Sequence, residues 1–135
     1  MRAQVAMEYL VVLGLSMAIV LPLWLYVNNE MNASRQELQF AYAKLAVHKI
    51  ADAADLVYIQ GEPSQLRVQV VFPDNIQAAT VDLKEVMIKL STPAGLTDVY
   101  AVTLGDVQGT LPTRAGPVVL LIKSEGTFVN ITEGG

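Results

Sequence analysis

Glu8 is the residue whose placement most demands a chemical explanation. It opens the uncharged run YLVVLGLSMAIVLPLWLYV at 9–27, and a lone carboxylate at the edge of such a run is costly unless it is paired or held near water. The other groups that could do chemistry are few. His48 is the single histidine and there is no cysteine, so one chain can build neither a His-based metal cluster nor a Ser-His-Asp triad. The sequence predicts that His48 is a solvated or packing residue of a helix. The carboxylates are scattered, without the pairing that acid–base catalysis uses. Gly105 and Gly109 lie between predicted strands rather than before a helix, which argues against a phosphate loop. No catalytic, cofactor-binding or metal-ligating residue is predicted, and the reading is of a protein that is not an enzyme. Nine basic residues against thirteen acidic ones, net charge -4, form no basic stripe for nucleic acid.

What must position Glu8 is the apolar run itself. At about 1.5 Å per residue a helix over 9–27 nearly spans a ~30 Å hydrocarbon core, and a backbone in lipid satisfies its own hydrogen bonds only as a helix or a closed barrel. Pro22 should kink or loosen that helix. Gly14 and Ser16 permit close helix approach, and Trp24 and Tyr26 mark an interfacial end. Arg2 would stay on the cytoplasmic side. A secretory signal peptide fits poorly, because no small-residue cleavage site follows the run. A plain membrane anchor and an assembly helix both fit.

The opening residues Met1-Arg2-Ala3-Gln4-Val5-Ala6-Met7-Glu8-Tyr9-Leu10 resemble the class III signal peptide of archaeal type IV pilins. The resemblance implies a leader over 1–3, cleavage by a prepilin peptidase between Ala3 and Gln4, and Glu8 as the fifth mature residue. It implies that Glu8 meets the α-amine of a neighbouring subunit during assembly and so sets register. The physical chemistry is consistent: cleavage would create an amine with a reference pKa of ~7.7–8.0, and pairing a carboxylate with an ammonium relieves two costs of burial in lipid. Stabilisation of the positive helix end by Glu8 is the alternative role. The implied fold is α+β: a long N-terminal hydrophobic helix and a small antiparallel β-sheet head domain packed on its second half, a lollipop-like chain.

The rest of the sequence is read on its own periodicity. Met31, Leu38, Tyr42, Leu45, Ala46, Ile50, Ala53 and Val57 recur at helical spacing, which predicts one helix over 4–58, hydrophobic all round over 5–27 and carrying one apolar stripe thereafter. Gly61, Glu62 and Pro63 stop it. From Gln65 the period becomes two, with Leu66, Val68, Val70 and Phe72 alternating with polar residues. Further β-rich stretches at 76–83, 86–90, 99–104, 107–111, 118–122 and 127–131, separated by turn signals, predict an antiparallel meander over 62–135. Two N-glycosylation sequons occur, at Asn130 and Asn32, with Asn130 the better placed.

The resulting expectation is the structural subunit of an extracellular surface filament supporting adhesion. It starts as a membrane-inserted precursor and assembles as a homopolymer through packing of its helices. The resemblance implies a prepilin peptidase, an assembly ATPase and its membrane platform as partners. Two other readings stay open: a membrane-anchored β-domain that binds a ligand or partner outside the cell, and a minor pilin or archaellin-like motility subunit.

Overall fold

A computed structural model describes residues 1–134. One helix, α1 (Arg2–Gln60), precedes seven strands: β1 (Gln65–Phe72), β2 (Ile76–Asp82), β3 (Glu85–Thr92), β4 (Gly95–Val102), β5 (Asp106–Gly109), β6 (Gly116–Ser124) and β7 (Phe128–Glu133). The chain is therefore α+β, with a long apolar N-terminal helix followed by a small β-domain packed against its C-terminal portion. It divides into two compact units, Met1–Gln36 and Glu37–Gly135.

The first unit is α1 alone. Its helix is continuous through Pro22, although proline supplies no N–H to the carbonyl four residues earlier. Ser16 donates its hydroxyl to the Val12 carbonyl at 2.8 Å, so this polar side chain is satisfied within the helix itself, as an apolar surrounding requires.

The second unit has one core, shared by the end of α1 and two sheets. The sheet β2-β3-β4 is the expected antiparallel meander. Its hairpins close at Leu83-Lys84, with Leu83 at φ 50, and at Pro93-Ala94, where Thr92 donates its hydroxyl to the Gly95 carbonyl at 2.7 Å. The other sheet departs from a meander: its order is β1-β6-β7-β5, and β5 pairs with β7 in parallel. The short β5 does not pair with β6, and the segment between them, from Thr110 to Ala115, lacks strand pairing. Instead β5 lies beside β7, where the Gly109 backbone approaches the Ile131 carbonyl so closely that a Cβ would collide with it.

Alternation in the strands follows from this packing. Val68, Val70 and Phe72 of β1, Val86, Ile88 and Leu90 of β3, and Val118, Leu120 and Ile122 of β6 all turn into the core, each fully buried aliphatic contributing about 1.5–3 kcal/mol. The helix stripe differs from the one its large side chains suggest. Ala43, Ala46, Val47, Ile50, Ala51, Ala53, Ala54 and Val57 are buried, whereas Leu38, Tyr42 and Leu45 are exposed. Small side chains let the helix lie close to the sheets, and the shape of that contact outweighs the hydrophobicity of single residues.

The helix ends where Gly61 adopts φ 72 and donates its N–H to the Val57 carbonyl at 3.1 Å. That is the left-handed cap glycine adopts without a Cβ penalty.

Candidate assembly surface

Two stretches of α1 leave large apolar side chains exposed. In the first unit every large apolar side chain faces outward. Between Tyr9 and Val27 the large apolar residues are 49–74% exposed, a degree of apolar exposure that water disfavours along a whole helix. The stretch is long and apolar enough to cross a membrane, and none of its most apolar window is buried. The sequence causes this directly: with apolar residues on all sides, no orientation of the helix could hide them behind a polar face.

Glu8 lies exposed on this helix. With Gln4, Met7, Val11 and Val12 it borders one shallow groove, as expected for residues spaced by three and four along a helix. Gln4 and Glu8 thus share a face, with apolar residues on the side toward the hydrophobic run. Ala3 belongs to the first turn of the helix, which begins at Arg2 and is closed by the Val5 N–H to Met1 carbonyl bond at 3.2 Å. Gly14 has open space around its Cα: a Cβ built there would meet nothing within 4 Å, so the backbone is bare to a close neighbour.

In the second unit the apolar side chains left outside by the alanine stripe line the outer side of α1. Leu38 is 54% exposed, Leu45 69% and Ile59 70%. His48 is exposed in a shallow depression with Lys44, Leu45 and Asp52. Among the described residues, no group of three His, Asp or Glu side chains comes together as a metal site.

Three polar residues of the same helix turn toward the β-domain and fasten it. Gln39 accepts the Asp74 N–H at 2.8 Å and donates to its carboxylate at 3.2 Å. Lys49 donates to the Gln69 carbonyl at 2.7 Å, satisfying an acceptor on the edge strand β1. Asp55 accepts the Leu104 N–H at 2.7 Å, just beyond β4. Sequence reading missed these fasteners. Their only sequence signal is polar residues on the flanks of an apolar stripe, which every amphipathic helix has.

The two sequon asparagines are placed differently. Asn32 is exposed on the helix of the first unit. Asn130 is half-buried in β7, an interior strand, opposite Lys123 on β6 and Gln108 on β5. The chain matches no known family model, no curated protein and no solved structure.

Proposed function

We propose that this chain is the structural, non-catalytic subunit of an extracellular type IV pilus-like filament that supports surface adhesion. One observation carries the reading: the helical stretch over 5–27, apolar on all sides and exposed, contains one carboxylate, Glu8, close to its start and one turn from Gln4. In a lipid-facing anchor that carboxylate has no ionic partner. A helix packed among its own copies supplies one, because an ammonium released at Gln4 by a peptidase can pair with Glu8 of a neighbour and leave neither charge bare in apolar surroundings. Burial of the helix against like helices then proceeds by van der Waals packing, with Gly14 giving close approach.

The precursor is held in the membrane by this same helix. It is cut before Gln4 by a prepilin peptidase, and is extruded by an assembly ATPase on its membrane platform into a homopolymer whose β-domains face outward. Glycans on Asn32 or Asn130 would add to the hydrophilic coat. The test is the N-terminal residue of protein recovered from cells, with electron microscopy of the same sample. Chains starting at Gln4 within filaments support the reading. Uncut chains in membranes without filaments overturn it and leave a single-pass anchor carrying an extracellular binding domain.

A further inference from the structure

The two sheets of the second unit end on β1, β5, β2 and β4, and these edges are guarded unequally. A free edge presents a row of backbone N–H and C=O groups that another strand can take up, and folded proteins block such rows with bulges, short strands, lysines, prolines or a covering element. At the β1 edge Lys49 takes the Gln69 carbonyl. The β2 edge is interrupted by the bulge between Ile76 and Ala78. The β5 edge is four residues long, and its Val107 N–H is taken by the Leu83 carbonyl. None of these devices protects β4, whose eight residues include no proline or lysine and run in unbroken register with β3. Its one charge, Asp98, is neutralised by Lys89 at 3.7 Å. The Thr103 N–H bonds to the Lys84 carbonyl, and antiparallel alternation then turns the N–H and C=O groups of Leu96, Asp98, Tyr100 and Val102 to the free side. No other backbone group among the described residues takes them. The side chains of Leu96, Tyr100 and Val102 are each more than half exposed.

We infer that β4 pairs with β4 of a second copy of this chain, antiparallel, about a two-fold axis at Val99. Leu96 then lies against the partner's Val102 and Asp98 against the partner's Tyr100, each pair exchanging two backbone hydrogen bonds. Across the joined sheets one row runs from Lys89 and Asp98 to the partner's Tyr100 and the partner's Met87. The next runs from Glu85 and Val102 to the partner's Leu96 and the partner's Ser91, so no like charges meet. An axis at Asp98 would set that carboxylate against its own copy, which like charges oppose. An axis at Tyr100 would set Leu96 against the partner's Leu104, a residue whose N–H Asp55 already takes. The inference goes beyond the filament reading. A two-fold contact closes on two copies, so it ties one chain or one filament to another and does not build the filament.

The chain contains no cysteine, so introduced thiols report on this contact alone. Full chains carrying Leu96→Cys or Val102→Cys are purified in detergent micelles and oxidised, separately and mixed. Equivalent thiols of the two copies lie six residues apart along the paired strands, roughly 20 Å at ~3.3 Å per residue, so neither variant should link alone. Facing residues lie about 5.5 Å apart, within disulfide reach. The mixture is expected to give a covalent dimer, and the double variant a dimer and no larger multimer. Tyr100→Pro removes an N–H that points away from β3, so the sheet keeps its own bonds, and should lower dimer yield at least about tenfold. In the unsubstituted chain, exchange of the Leu96, Asp98, Tyr100 and Val102 amides should slow about tenfold or more as the ratio of chain to detergent rises. No dimer from the mixture, equal dimer from either variant alone, larger multimers from the double variant, a yield indifferent to Tyr100→Pro, or amides that exchange at one rate throughout would each overturn the inference. Filaments of chains cut before Gln4 that give no dimer keep the filament reading and defeat this contact. The dimer without filaments on cells does the reverse.

Discussion

Asp55 of α1 accepts the backbone N–H of Leu104 at 2.7 Å, so a helix carboxylate holds the chain at the exit of β4. Asp55→Ala removes a charged acceptor and leaves that N–H to water. An unfolding midpoint in denaturant should report a loss of about 1 kcal/mol, because the bond is solvent-accessible and only part of the usual 1.5–3 kcal/mol for a charged acceptor applies. Asp55→Asn keeps an acceptor oxygen and should recover about half of that loss.

One residue further on, Gly105 is covered by the ring of Tyr58, and a Cβ at Gly105 would overlap that ring. Gly105→Ala should therefore cost about 1–3 kcal/mol of stability through overpacking. Tyr58→Ser in the same chain removes the obstacle, so the double variant should be more stable than the sum of the two single losses predicts. A double-mutant cycle by chemical denaturation reads that coupling.

Leu45 and Ala46 are neighbours in sequence with opposite surroundings, 69% exposed and 2% exposed. Ala46→Leu forces extra methylenes into the helix–sheet contact and should destabilise the β-domain by about 1–3 kcal/mol. Leu45→Ala should change its stability by less than about 0.5 kcal/mol. In the filament reading Leu45→Ala should instead reduce filament yield, which counts by electron microscopy can check.

Glu8 separates the roles of charge and helix stabilisation. Glu8→Gln keeps size and hydrogen-bonding capacity but removes the charge. If Glu8 pairs with a neighbour's amine, Glu8→Gln and Glu8→Ala should both cut filament number by more than about tenfold, equivalent to 1.4 kcal/mol per subunit contact, while membrane insertion persists. Normal filament number in Glu8→Gln would overturn that pairing; α1 starts at Arg2 and has no acidic residue in its first turn, so stabilisation of the helix end by Glu8 is small.

Much of the architecture is legible in the sequence, because it follows from local rules. Hydrophobicity on all sides over 5–27 and the apolar periodicity that follows specify a helix, and the structure carries it two residues beyond Tyr58, to Gln60. Gly61 is the stop for the reason foreseen, although the detail of its left-handed cap is geometric. Seven β-rich stretches became seven strands, since alternation and turn residues act over a few neighbours. Pro22 lies inside α1, and the helix assignment continues through it. Within the candidate surface, the spacing of Gln4 and Glu8 already put them on one helix face.

What tertiary structure alone decided concerns partners that are distant in sequence. The parallel pairing of β5 with β7, in place of a continued meander, depends on Gly109 fitting against the Ile131 carbonyl, and no periodicity encodes that fit. The choice of Ala43, Ala46 and Ala54 for burial over Leu38, Tyr42 and Leu45 depends on how closely two sheets approach one helix. Sequence determines which segments bury themselves and with what period; close packing between remote segments determines against what, and which apolar and charged groups remain outside for another chain to cover.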